Sequence, residues 1–513
     1  MSMTQKPRLS WYIRKFVWNG LSLLIFRFKK AKPIPLPPEN PEPLRAVPLG
    51  QRIPGIQIDN ILMADHIPPG ETSKVMFYAF AFRTWLSRVF PPVVNGLPQV
   101  ADDIHAAMDA AFSRGYRALY PAPRRPEELR HPGPPEIGTL ATSSPFACFL
   151  QRDAEGNLVW DFRDLDAHEV YGGLRPLGSR VFFAVDKAAR KLKASRIECV
   201  LGDIDPSDDR WAEAVRTALC AASTRISLVN HFNWVHLACG GPFAIATRNN
   251  LGFGHPMCRL MWPHMYGTQN SNYLVTEGQM LPGGDFETVF SFTHAGMCDL
   301  FVRTYDGYRA SVMVPALDWR DRGLDGADFD MPVQDNLVRI YDVMLAHTTR
   351  YIAAYYPDDR ALQRDEPVRA WLRALEATIP NGIGGITGGE VTRASVAQLA
   401  AGFIFMAAVQ HEILGSMMWN YQMWVDKIPV RIHSDGRRVS VDVFQRLLNA
   451  NFNLNVDRAK LMVDFSYLAL DDRGRAAFGQ FLEELTTLDR ELSQGEVPCW
   501  RVLPSRLDAN INA

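Results

Sequence analysis

A chain of 513 residues with 47% hydrophobic composition holds enough apolar surface for one large core or two ordinary ones, which excludes a mainly disordered protein. Its 55 Lys+Arg against 56 Asp+Glu leave a net charge of −1, which excludes a nucleic-acid partner held through a broad basic face. Cys148, Cys199, Cys220, Cys239, Cys258, Cys298 and Cys499 are odd in number and never spaced Cys-x-x-Cys, so they form neither a disulfide framework nor a zinc ribbon, and a reducing, cytoplasmic home is expected.

The first 45 residues form an apolar, basic arm with a proline-rich linker, and residues 46–513 are expected to form one mostly α-helical catalytic domain with a few short strands. In the arm, Trp11 to Phe28 is strongly apolar, is flanked by Lys6, Arg8, Lys29 and Lys30, and leads into the stretch Pro33 to Pro43. Its uncharged run from Phe16 to Phe26 falls short of the about 20 residues a bilayer-spanning helix needs. Arg27-Phe-Lys-Lys30 is a poor cleavage site for a signal peptide. Three readings stay open: a peripheral membrane helix over residues 11–28, a helix packed on the protein's own surface, or a partner-binding arm.

Helix-spaced apolar residues then predict helices over Asp102 to Arg117, Pro206 to Cys239, Pro332 to Tyr356, Glu366 to Ile379, Val391 to Trp424 and Arg475 to Leu492. Ala147 to Arg152 and Asn157 to Phe162 alternate as a pair of strands would, and Arg180 to Asp186 is a third candidate. The uncharged run between Arg393 and His411 admits a membrane-spanning reading, but Gln398, Gln410 and many alanines suit a helix buried in a large core.

Two histidines stand five apart in His231-Phe-Asn-Trp-Val-His236, inside an apolar stretch. In a regular α-helix such side chains point about 140° apart and could not grip one ion. A π-turn brings i and i+5 nearly into line, and such widenings gather at functional sites. Two unrelated core histidines are the plain alternative.

This region resembles the lipoxygenases. Their metal-binding helix carries His-x4-His, preceded 20 residues earlier by Trp-x-x-Ala, here Trp211-Ala-Glu-Ala214. The blocks that follow it match Phe243 to Arg248 and, with Arg259 in a lysine's place, His255 to His264. Asp365 to Trp371 echoes the family's Asp-x-Glu-x-x-x-Trp, and Gln410-His411 echoes the pair that opens its second metal-binding helix. The likeness runs from about Trp211 to the C-terminus. Nothing before Trp211 reads as the β-sandwich of the animal and plant enzymes, so the resemblance is to the compact bacterial type.

What the resemblance implies is a single non-haem iron held by His231, His236, His411 and the terminal carboxylate of Ala513, with manganese open because it accepts the same donors. A frayed polar tail is the commoner fate of a chain end. His255 and His264 are implied to be structural. The catalytic group implied is the hydroxide carried by the metal, with no side-chain acid or base. The activity implied is removal of a bis-allylic hydrogen from a polyunsaturated fatty acid or related lipid and addition of O2 to give a hydroperoxide.

Departures from the family are equally specific. The position of its further ligand, four residues after the third His, is Gly415, so that place is vacant, taken by water, or served by Ser416 after a helix shift. Ser227 and Val275 fall where the family lines its substrate pocket, Val275 at its oxygen-steering Ala-or-Gly position with Thr276 in the place of an Arg. One residue too many lies between His236 and Phe243. Two alternatives therefore stay open: oxidation of a different lipid or biosynthetic intermediate, and a non-catalytic lipid-binding homologue. Gly415 to Trp424 could line a channel, although a Met and aromatic stripe is more often core.

Overall fold

The structure, a computed structural model, describes residues 33–71, 124–437 and 459–511, with scattered single positions elsewhere. The arm, the expected helix at Asp102 to Arg117 and the terminal residue Ala513 lie wholly or almost wholly outside the described residues.

Among the described residues, two antiparallel sheets precede the long helices. β1 (Ala46–Pro48) pairs with β2 (Leu62–Ala64). A five-stranded sheet follows in simple chain order: β3 (Gln151–Arg152), β4 (Leu158–Asp161), β5 (Ser179–Asp186), β6 (Lys191–Cys199) and β7 (Gly202–Ile204). Val159 stands opposite Phe182 and Val181 opposite Ile197, and the register shifts between Phe182 and Phe183. The inward faces build an aromatic cluster, with Trp160 edge-on to Phe183 at 5.5 Å and Phe149 edge-on to Phe162 at 4.9 Å.

The strand expected at Ala147 to Arg152 is mostly something else. Pro145–Phe149 is a 3-10 turn, and only Gln151–Arg152 extends. Ser144 accepts a hydrogen bond from Phe146 N and Pro145 presets the first turn, so a helix-start signal overrides the alternation. The nine residues of β6 went unread because their charged and apolar residues look like surface until β5 lies alongside.

Helices make up the rest. α1 (Trp211–Arg225) runs without a break into a π-helix at Ile226–Gly240. α2 (Gly241–Asn250), α3 (Pro256–Met265) and α4 (Thr268–Val275) follow, with α5 at His294–Tyr305. α6 (Pro332–Tyr355) packs on both α8 (Arg393–Phe405) and α9 (Asp472–Leu492), while α7 (Glu366–Thr378) packs on α2. A Thr392–Ser395 capping box starts α8. Its helix, continued to Gln422, is long and apolar enough to cross a membrane, yet 89% of its most apolar window is buried inside the protein. Gly415 to Trp424 likewise joins the core in large part: Met418, Tyr421 and Met423 are fully or almost fully buried.

The Asp365-to-Trp371 motif is a brace. Asp365 caps α7 at Val368 N, accepts the Tyr356 hydroxyl at 2.6 Å and faces His255 Nε2 at 3.1 Å. Burial works against its charge, but the bonds from Tyr356 and His255 hold the carboxyl below its ordinary range. Trp371 Nε1 donates to Thr247 Oγ1 at 3.0 Å, tying α7 to α2.

Candidate metal centre

The widening expected between His231 and His236 spans fifteen residues of π-helix, Ile226–Gly240. Short π-turns at Met406–Gln410 and Ile413–Met417 flank His411 on the facing helix. The ring centroids of His231, His236 and His411 stand 4.9, 5.0 and 5.1 Å apart, close to an equilateral triangle. All three are buried, and one nitrogen of each lies within 4.8 Å of the others, the span of a single coordination sphere. Three imidazoles closing on one point, with no sulfur donor, suit a redox-active first-row metal with positions left open.

Neighbours fix the rings. His236 Nδ1 faces Asn272 Oδ1 at 3.0 Å, while Asn272 Nδ2 donates to the His236 carbonyl at 2.9 Å. This double contact fixes the orientation of the ring, a familiar means of setting a metal-binding histidine. Asn272 sits on α4 and was not singled out in the sequence, since no spacing announces a partner 36 residues away. Phe232 stacks on His236 at 4.9 Å and meets Phe286 edge-on at 4.5 Å, which gives the centre a dry aromatic wall.

The tail threads inward as far as it is described. Leu507, Asp508, Ala509, Asn510 and Ile511 are all buried. His264 Nδ1 donates to the Ala509 carbonyl at 2.8 Å, and Asn510 Nδ2 donates to the Pro263 carbonyl at 3.1 Å. Burial pushes the His264 imidazole down to about 4, so it is neutral at physiological pH. A Cβ on Gly240 would meet Ile511 Cδ1 at 2.6 Å, and one on Gly241 would stand 3.2 Å from Asn272 Nδ2. Gly240, at the end of the π-helix, therefore gives the tail a close approach to the histidine helix, while Gly241 leaves room for Asn272. His255 and His264, set aside as structural, do bind protein groups: His255 caps α3 at Met257 N and faces Asp365.

Gly415 presses on His231, with a Cβ there 2.9 Å from Nε2 and Cε1. Ser416 is buried one residue on. Ser227 Oγ accepts a hydrogen bond from Gln422 Nε2 at 2.8 Å, and Val275 is buried where α4 turns into a short π-helix at Thr276–Met280. A cavity of 490 Å³ opens beside the two histidine helices, touching Asn230, Trp234 and Val235 on one and Gln410, Ile413 and Leu414 on the other. Its volume is that of a small-molecule pocket. The three histidines, Ser227 and Val275 are not part of its wall.

A lipoxygenase family model matches residues 191–378. The chain is 26% identical over 231 residues to the polyunsaturated fatty acid lipoxygenase ALOX8 of Mus musculus, covering 44% of this chain and 33% of the relative. It is 23% identical over 241 residues to the hydroperoxide isomerase ALOXE3 of Homo sapiens, covering 44% and 32%. The matched region thus spans about a third of the length of these relatives. Coral 8R-lipoxygenase superposes with a TM-score of 0.75 over 100% of this chain and 82% of its own, at 14% identity, which shows the shared fold.

Proposed function

Because residues 191–378 match the lipoxygenase family model and the chain shares the fold of solved lipoxygenases, we propose that it belongs to that family and is a metal-dependent dioxygenase that converts polyunsaturated fatty acids or related lipids to hydroperoxides. The observation that carries this reading is the convergence of His231, His236 and His411 within 4.8 Å on widened helical turns. These three, with the carboxylate of Ala513, would hold iron, or manganese in its place. When bound, the metal supplies the one-electron oxidation that removal of a bis-allylic hydrogen requires. The chain's own residues orient and enclose: Asn272 sets the His236 ring, Phe232 and Phe286 exclude water, and His264 and Asn510 carry the tail toward the centre. Seven free cysteines support a cytoplasmic location.

A second reading has its own support. Gly415 offers no side-chain donor, Ser227 is engaged by Gln422, and one relative is a hydroperoxide isomerase. The same centre would then act on a different lipid or an already oxidised one, without net addition of oxygen. Metal quantification of the purified protein, coupled to conjugated-diene absorbance with linoleate and arachidonate, tests both. Bound iron with diene formation supports the first reading. Bound iron with loss of added hydroperoxide, and no diene, supports the second. Protein free of iron and manganese after purification from metal-replete cells refutes both.

A further inference from the structure

The helices that carry the histidines share a second wall. Asn230 and Val235, the residues just before His231 and His236, line the 490 Å³ cavity, and so do Ile413 and Leu414, which lie between His411 and Gly415. The three histidines themselves do not. Neighbours in the sequence of a helix point to different sides, so one pair of helices presents its rings to the candidate metal centre and these residues to the cavity. A molecule in the cavity would touch both histidine helices and none of the histidines.

The inner wall is apolar. Phe405, Ile413 and Leu414 are buried in it, and α6 contributes Val333 and the half-buried Leu337. Gln410, the amide beside them, donates its Nε2 to the Val312 carbonyl at 2.5 Å. Gly307, Arg309 and Asp321 are the exposed members of the wall and mark its mouth.

Charge says what the mouth would accept. Six charged residues line the cavity, and five of them are already paired. Asp161 is held by Arg163 at 2.5 Å and Arg180 at 3.6 Å, Asp318 by Arg322 at 2.7 Å, and Asp321 by Arg320 at 3.3 Å. Arg225 is ion-paired with Asp164. Arg309 is the sixth, and among the described residues its guanidinium has no ion pair or hydrogen bond. The acids of the wall are thus neutralised, while one cation at the opening is left to receive an anion, for which a guanidinium matches a carboxylate best. An apolar interior of this volume with a single polar grip is the usual form of a small-molecule site.

We propose that the cavity binds an amphipathic carboxylate, its head on Arg309 at the mouth and its apolar body against Leu337, Phe405 and Leu414. This is a second site, behind the metal centre, and its occupant is not the molecule oxidised in the proposed reaction. The binding does not depend on that reaction taking place.

Isothermal titration of the full chain with dodecanoate keeps the two apart, since a saturated acid has no bis-allylic hydrogen and binding is scored without turnover. Wild type should show saturable binding. Arg309→Gln should weaken it about fivefold, the worth of a partly exposed ion pair, and Arg309→Lys should restore most of the loss. Leu337→Trp, which fills the apolar end, should weaken it tenfold or more with thermal melting unchanged. Dodecanol should bind wild type no better than dodecanoate binds Arg309→Gln. Should Leu337→Trp melt early, Arg309→Glu, a change on an exposed side chain, decides in its place by a still larger loss. Absence of saturable binding overturns the proposal, as does binding that the Arg309 and Leu337 substitutions leave at the wild-type level. Equal binding of dodecanol and dodecanoate would also overturn it, because the head would then owe nothing to Arg309.

Discussion

A methyl group on Gly415 would stand 2.9 Å from both Nε2 and Cε1 of His231, on the ring that faces the centre. A side chain at this position, where the resemblance implies a further ligand, would thus crowd the imidazole. Gly415→Ala should displace that ring and lower metal occupancy about tenfold, in line with the 1–3 kcal/mol of overpacking. Gly415→Asn, which restores a family-like donor, should do no better. Metal-to-protein stoichiometry measures both, and an Asn variant that binds more tightly than wild type would refute the packing argument.

The path of the tail yields a second expectation. His264 and Asn510 hold the last residues against α3, and Ile511 lies on Gly240. His264→Ala should loosen the tail and reduce iron retention on dialysis, whereas His264→Asn keeps a donor near Ala509 and should retain most of it. Adding residues beyond Ala513 should abolish retention altogether. Full retention in a C-terminally tagged protein would show that the terminal carboxylate is not a ligand.

Much of this was legible beforehand, for a physical reason. The i,i+5 pair His231 and His236 cannot share an ion on a regular helix, so a shared ion required a π-turn, while two unrelated core histidines did not; a π-helix is found at Ile226–Gly240. Asn272 was not legible, because an amide on a helix has no spacing that reveals a histidine across the fold. The fit of Gly415 against His231 was also hidden: a sequence shows that a side chain is missing, not which ring fills the space. Pro145–Phe149 misled through its alternation, which a Ser-Pro helix start overruled.

Asp365 should matter to stability ahead of chemistry. It caps α7 and receives Tyr356 and His255 at once. Asp365→Ala should cost about 2–3 kcal/mol by removing a cap and stranding buried donors. Urea unfolding measures it, and a change below a few tenths would count against the brace. Asp365→Asn should fall between the two, since it keeps an acceptor for Val368 N.

Acid sensitivity follows from two buried imidazoles. Burial drives His264 down to about 4 and His347 to about 3, so both are neutral in the folded protein. In the unfolded chain a histidine takes up its proton near pH 6.5. Between about pH 6.5 and pH 4 the unfolded state therefore binds more protons than the native one, and stability rises with pH across that window. His264 alone should remove roughly 3 kcal/mol over the full descent, with the loss beginning below pH 6.5 and levelling off below its folded value. Urea midpoints at several pH values between 7 and 4.5 give the slope. His264→Asn, which does not titrate, should flatten it, and an unchanged slope in that variant would place the acid sensitivity elsewhere.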